Sequence, residues 1–272
     1  MHFFLVLTRF WAFQRGFSAY FCAILYKIGM VETMTGIVLH ALRFKEDSII
    51  VDIFTEQHGT VPFLVKVPRG RRPSLHTQLL RPLNILQLSF DFRPRLSLQR
   101  ITDLRLAVPY TTLPYDSIKE TLALFFSEFL YYTLRHEAAN LPLLQFLCNS
   151  FQWLDLKDGS LANFHLVFLV QLSRHLGFWP QTEGLAEGLP YFDLNEGAFR
   201  GDPILGGYSL GQEESAMVPV LTRLTYGTMH LLRLNSEQRN YLLDILLTYY
   251  RLHVPEFPPL KSVEVLREVL RG

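Results

Sequence analysis

The sequence predicts an α+β chain, with a small five-stranded β-barrel followed by an all-helical domain. Three observations carry that prediction. Between residues 35 and 106, short runs alternate apolar and polar side chains or are dense in β-branched residues. Pro109 and Pro114 then punctuate the chain, and beyond them apolar residues recur at helical spacing. Charge divides at the same place. Residues 30–109 hold 11 basic and 7 acidic residues, whereas residues 110–272 hold 12 basic and 18 acidic, so a net charge of +1 conceals a basic half and an acidic half. With 272 residues, 49% of them hydrophobic, the chain has room for one or two packed domains and lacks the composition of a disordered protein.

The strands come first. Residues 35–42 form a strand candidate, and 48–55 (SIIVDIFT) are rich in Ile and Val. Glu56 to Gly59 supply turn chemistry, with Gly59 suited to a positive φ, so 60–67 return as the second arm of a hairpin. Residues 68–73 (PRGRRP) carry two prolines and a glycine and read as a loop. Leu86, Leu88 and Phe90 alternate with Gln87, Ser89 and Asp91 in a fourth strand. A fifth covers 96–106, with the alternation slipping near Arg100 and Ile101, as at a bulge. Five strands in this length fit a closed barrel of the OB-fold type, although an SH3-like barrel satisfies the same pattern.

The helices follow the prolines. Ser117 and Glu120 form a capping-box pattern ahead of Leu122, Phe125, Phe126, Phe129 and Leu130. Pro142 opens a second helix with Leu143, Leu144, Leu147, Phe151 and Leu154 on one stripe. A third spans 161–176 and stops at Gly177. Residues 178–211, rich in Gly and Pro, read as an irregular lobe. Helices resume over 213–225 and 236–253, the latter with Ser236 as N-cap, and a short one starts near Ser262. The expected organisation is therefore 1–29 as an apolar extension, 30–109 as the barrel and 110–272 as the helical domain.

Residues 1–29 carry nine aromatic residues, three basic residues and no acid. Arg9, Arg15 and Lys27 interrupt the apolar runs, and neither run approaches the ~20 residues that a spanning helix needs. The expectation is that translation starts at Met30 or Met34. An interfacial membrane helix and a secretory signal are the alternatives. Two cysteines, Cys22 and Cys148, make neither a disulfide framework nor a zinc quartet and suit a reducing compartment, hence the cytoplasm.

Function is read from charge. Residues 57–84 contain no Asp or Glu, yet they hold Lys66, Arg69, Arg71, Arg72 and Arg81. Arg93, Arg95, Arg100 and Arg105 follow, against only Asp91 and Asp103. Cations crowded on a small barrel repel one another, and a polyphosphate strand relieves that repulsion while releasing its own counterions. Phe44, Phe54, Phe63, Phe90 and Phe92 are the rings available for stacking on bases; most of them are expected in the core, and Phe44 and Phe92, at strand ends, are the better candidates.

Competing chemistry is weak. No HExxH, CxxC, GxSxG, Walker lysine or GxGxxG occurs. His165 and His175 are ten apart on one helix and do not converge on a metal. DLNEG at 193–197 has its glycine one place early for a calcium loop and reads as an ordinary Asp-Asn-Gly turn. Glu213 and Glu214 sit at a helix start, where they favour the dipole. Cys148 reads as a buried, inert thiol. The chain is expected to be no enzyme and to carry no cofactor or metal.

The stretch TGIVLHALRFKEDSIIVDIFTEQHG, from Thr35 to Gly59, with Glu46-Asp47-Ser48 at its turn, a T-x-x-x-G at Thr55 and Gly59, and a basic loop from Lys66 to Arg72, resembles the start of the bacterial recombination mediator family RecO. Leu166 to Pro180 is similar to that family's helix ending in L-G-x-x-P, and YFDLNEGAF, from Tyr191, to its F-D-x-x-x-G segment. The resemblance runs from about Met34 to Leu270. It implies an N-terminal OB-fold and a helical C-terminal domain. It also implies binding and annealing of single- and double-stranded DNA, action with RecR, and loading of RecA on strands coated by single-stranded DNA-binding protein. Some members carry a four-cysteine zinc lobe around the F-D-x-x-x-G segment; this chain lacks those cysteines.

The DNA contacts expected are Lys66, Arg69, Arg71, Arg72 and Arg81, with Arg93, Arg95 and Arg100 as a second set. The acidic, apolar tail of the single-stranded DNA-binding protein needs a cation with apolar walls, for which Arg135 and Arg174 are the candidates. The alternative reading is an assembly protein whose basic barrel binds an acidic partner. A third, a membrane-associated protein using residues 1–29, depends on the extension.

Overall fold

The computed structural model describes residues 31–66, 78–204 and 206–271. The extension and Arg69, Arg71 and Arg72 lie outside them.

β1 (Val31–Lys45), β2 (Ser48–Thr55), β3 (Gly59–Lys66), β4 (Ile85–Asp91) and β5 (Ile101–Val108) form one antiparallel sheet in the order β3-β2-β1-β4-β5. Alternation decides which side each residue faces. Val51, Ile53, Val61, Phe63, Leu86, Leu88 and Phe90 point inward and form the sheet's own core. β1 is longer than its pattern suggested because it serves two partners: β4 over Val31–Ile37 and β2 over Gly36–Lys45. Leu39 is the extra residue where its register slips, and its carbonyl accepts a hydrogen bond from Ser127 Oγ of the first helix. A Cβ at Gly36 would stand 2.6 Å from Ile53 Cγ2, so the strand crossing requires glycine there.

The barrel is not closed. β3 and β5 share a single parallel bridge, Phe63 to Gln99, instead of a ladder. The fifth strand is correspondingly shorter than expected, with residues 97 and 98 in bends. Its bulge falls opposite Ser89 and Phe90 and leaves Thr102 unpaired, one residue beyond the predicted slip.

The T-x-x-x-G turn has a physical basis. Thr55 Oγ1 donates to Gly59 O at 2.8 Å and accepts from His58 N at 3.2 Å. Gly59 adopts φ +67°, and a Cβ there would collide with Glu137 O at 2.2 Å.

Helices α1 (Ser117–Leu134), α2 (Leu141–Leu156), α3 (Phe164–His175), α4 (Glu183–Ala186), α5 (Gln212–Arg223), α6 (Ser236–His253) and α7 (Ser262–Val269) make up the second half, with a short 3₁₀ turn at Met229–Leu231. Two caps differ from expectation by one residue. Asp116, not Ser117, caps α1, accepting from Ile118 N and Lys119 N. Asn235, not Ser236, caps α6 in a reciprocal box with Gln238. In each case the extended residue before the first helical one carries the capping oxygen. α3 is buried on every side from Phe164 to Val170. The helical core continues into the outer face of the sheet through Ile37, Leu39, Phe54 and Ile85.

The lobe over 178–211 is more ordered than its composition suggested. It holds α4 and a hairpin of β6 (Tyr191–Asp193) and β7 (Ala198–Arg200). Asp193 Oδ1 accepts from Asn195 N, and Gly197, at φ +66°, donates its N–H to Asp193 O, so the turn expected of DLNEG is present and is of the Asx type. Phe192, Leu194, Phe199 and Tyr249 pack beneath it.

Candidate nucleic-acid interface

Where β3 and β5 part, a cavity of about 380 Å³ opens, lined by Leu64, Val65 and Lys66 on one side and Arg100 to Leu104 on the other. Lys66 is the exposed last residue of β3, and Arg100 is the exposed residue before β5. The strand ends thus set the two cations on either side of one gap.

One buried amide builds the rest. Gln99 is 3% exposed. Its backbone N–H donates to Pro62 O and its carbonyl accepts from Leu64 N, both at 2.9 Å, which makes the bridge to β3. Its side chain turns the other way. Oε1 accepts from Arg93 N at 2.9 Å, while Nε2 donates to Arg93 O at 2.9 Å and Leu96 O at 2.8 Å. The β4–β5 loop, which presents Arg93, Arg95 and Arg100, is therefore wound around a neutral side chain. Its start is pinned by Phe92, stacked on His58 at 3.8 Å between ring centroids; His58 Nε2 in turn meets Glu32 Oε2 at 2.7 Å.

The predicted cations separate on this frame. Lys66 and Arg100 share the cavity with Asp103, and Arg95 is exposed on the β4–β5 loop. Arg93 is held by its own neighbour, with Nε and a terminal nitrogen each 2.7 Å from Asp91 Oδ2. The ion pairs among the described residues engage none of Lys66, Arg81, Arg95 or Arg100. Arg81 stands elsewhere, on a groove of about 800 Å³ between the sheet and α1, with Tyr115 and Glu120. Arg105 lies on β5, donating to Gln87 Oε1.

Of the aromatic candidates, Phe54, Phe63 and Phe90 are fully buried and Phe92 is occupied by His58. Phe44 is 51% exposed near the tip of the β1–β2 hairpin, with Lys45 Nζ 5.3 Å from its ring centroid. Lys45 pairs in register with Ser48, and Ser48 with Lys66, so that tip and the end of β3 share one end of the sheet. Arg43 is exposed on the same strand end. Charge counting missed Arg43 and Lys45 because Glu46 and Asp47 follow them in sequence. It missed Gln99 because an uncharged residue has no electrostatic signature.

On the helical half, Arg135 is exposed at the end of α1. Arg174, at the end of α3, lies 4.2 Å from the ring centroid of Trp179, beside His175, which stacks on Phe146. Burial and the neighbouring Arg174 hold the His175 imidazole below its ordinary pKa. The two arginines belong to different helix ends. Burial pushes the Cys148 thiol up to about 11, in keeping with an inert residue. Among the described residues no group of three His, Cys, Asp or Glu is placed to hold a metal ion, and no helix is long and apolar enough to cross a membrane.

Two family models match the chain, Recombination protein O N terminal over residues 30–110 and Recombination protein O C terminal over residues 114–264. The chain is similar to the DNA repair protein RecO of Phocaeicola vulgatus, 45% identical over 240 residues covering 88% of this chain and 99% of the relative. The protein of the same name from Bacteroides fragilis is 42% identical over 241 residues, with the same coverage of each chain. That from Flavobacterium psychrophilum is 32% identical over 235 residues, 86% of this chain and 97% of the relative.

Proposed function

The chain belongs to the recombination protein O family of DNA repair, and from that premise we propose that it is a non-enzymatic mediator whose β3–β5 seam grips the sugar-phosphate backbone of DNA. The observation that carries the site is the placing of Lys66 and Arg100 on the lining of the open seam, with Arg95 exposed on the loop that leads to Arg100 and none of the three in an ion pair among the described residues. The β1–β2 and β4–β5 loops of such five-stranded folds are the usual oligonucleotide-binding elements. Here they carry Arg43, Phe44 and Lys45 on one side, and Arg95 and Arg100 on the other. Cations on flexible stems recognise phosphate without reading sequence, which suits both single and double strands. Neutralising two backbones on one basic surface favours annealing. Arg69, Arg71 and Arg72 belong to the connection that leaves β3 at Lys66 and extend the proposed contact.

In this reading residues 30–109 are the DNA-binding unit and 110–272 the partner-binding unit, for RecR and for the tail of single-stranded DNA-binding protein, leading to RecA loading in the cytoplasm. Arg174 over Trp179 joins a cation to an apolar wall, the combination an acidic, apolar tail requires.

The test is fluorescence anisotropy on single- and double-stranded oligonucleotides from low to moderate salt. Each phosphate contact contributes roughly 0.7 to the slope of log K against log salt for single strands. The double charge reversal Lys66→Glu, Arg100→Glu is expected to weaken binding at least tenfold (an order-of-magnitude figure) and to flatten that slope by about 1.4. Unchanged affinity and slope in the folded variant would remove the seam from the interface.

A further inference from the structure

We infer that Gln99 is the positioning residue of this interface: a neutral, buried hub that orders the loop carrying Arg95 and Arg100 without itself adding an opposing charge. The inference deepens the DNA reading above and rests on it.

A loop presenting cations to a polyanion must be ordered by something. A carboxylate would order it well, since an ionised acceptor makes stronger hydrogen bonds than a neutral one. It would also cancel part of the positive potential that the loop exists to present. An amide avoids the conflict. Gln99 has one acceptor and two donor hydrogens on its side chain, and the loop satisfies both ends: Arg93 N–H on Oε1, and the carbonyls of Arg93 and Leu96 on Nε2. The backbone of the same residue fastens the loop to β3 through Pro62 and Leu64. Every bond in this set is 2.8–2.9 Å long. Arg100 follows directly in sequence, so the peptide that closes the seam also aims the cation that lines it. The order is set before a ligand arrives, and immobilising the loop on binding then costs less affinity.

The chemistry separates Gln99 from a residue that merely supports the fold. Its hydrogen-bond partners are the loop's own backbone and the edge of β3. Replacing it by Met keeps length and approximate volume while removing all three side-chain hydrogen bonds. The expected result is a folded protein that binds a single-stranded oligonucleotide several-fold more weakly, with a salt slope shallower by about 1, because two cations are no longer held in place. A structural role alone would lower the melting temperature and leave the slope, measured well below melting, as in the wild type.

The experiment compares wild type, Gln99→Met and Lys66→Glu, Arg100→Glu by anisotropy across a salt series, with hydrogen exchange on the wild type. Weaker binding with a shallower slope in Gln99→Met supports the inference. Unchanged binding in Gln99→Met, alongside loss in the charge reversal, overturns it and leaves the DNA reading standing. Absence of binding by the wild type sinks both. Should Gln99→Met fail to fold, exchange of the Arg93 amide decides. Protection in the free protein supports a pre-ordered loop, and exchange at the rate of an open loop overturns it.

Discussion

Every charged side chain that the described residues bury lies in the helical half: Lys119, Asp155, Asp193 and Arg239, together with the titratable His165. Among the described residues, the polar side chains that the sheet half buries are Ser48, Thr55 and Gln99, none of which can ionise. The contrast follows from what each half must do with charge. A buried ion is tolerated only when its lost hydration is replaced by fixed partners. The helical half provides them. Asp155 accepts from the N–H groups of Thr111, Thr112 and Leu113, and Lys119 Nζ donates to Thr112 Oγ1 and Asp155 O, so the segment joining the two halves is stitched to α2 and α1. The sheet half keeps its cations in water and orders them with an amide. Buried charge serves internal cohesion in one half, whereas the other keeps its charged side chains out of the core among the described residues.

Breaking Asp155 gives the largest effect expected. Burial alone would raise its carboxyl, but the N–H groups of Leu113, Thr111 and Thr112 outweigh that and hold its pKa below the usual carboxylate value. Asp155→Ala leaves those three N–H groups without an acceptor and is expected to cost about 3 kcal/mol in chemical unfolding. Oligonucleotide affinity, measured well below melting, should stay at the wild-type value if the two halves use charge for different ends. A matching loss of affinity would show that the junction also shapes the seam.

His165 sharpens the same contrast through pH. It is 1% exposed; burial and the nearby Arg239 guanidinium lower its pKa to about 3. An unfolded histidine titrates near ~6.5, so below that pH the unfolded chain binds a proton that the native state refuses. Its contribution to stability is complete above the unfolded value and declines as pH falls toward 3. Between pH 7 and pH 5 the loss should approach about 2 kcal/mol. Denaturant titrations at the two pH values, with His165→Leu as control, check this. An equal pH dependence in the control would remove His165 as the cause.

Much of this architecture was legible in the sequence. Five strands, the turn from Glu56 to Gly59 and most helices follow from periodicity and turn chemistry, which act within a few residues. What escaped depends on contacts distant in sequence. The barrel's incomplete closure turns on Phe63 meeting Gln99, and nothing local to either residue announces it. Ordered structure in the 178–211 lobe relies on α6, through Tyr249 Oη bonded to Phe178 O, and on Ser215 Oγ bonded by Phe192 N. For the site, composition identified the basic region but not its geometry. It could not separate Arg93, neutralised by Asp91, from Arg100, or place Arg81 on a different groove.

Asp91 offers the smallest and most discriminating test. It is the one carboxylate of the sheet half that ties down a cation of the β4–β5 loop among the described residues, through two contacts of 2.7 Å to Arg93. The Arg93 side chain is 66% exposed, so the pair sits in water and is worth little to stability, about 0–1 kcal/mol. Removing the carboxylate, as in Asp91→Asn, frees Arg93 for a phosphate and deletes a repulsive charge at once. Affinity for single strands should rise by a few fold, and the salt slope should steepen by about 0.7, one additional phosphate contact. Arg93→Ala should leave the slope close to wild type, whereas Arg100→Ala should flatten it by about 0.7. If Asp91→Asn leaves binding unchanged while Arg93→Ala weakens it, Arg93 already contacts DNA in spite of its ion pair, and the division between tethered and free cations in the loop is wrong.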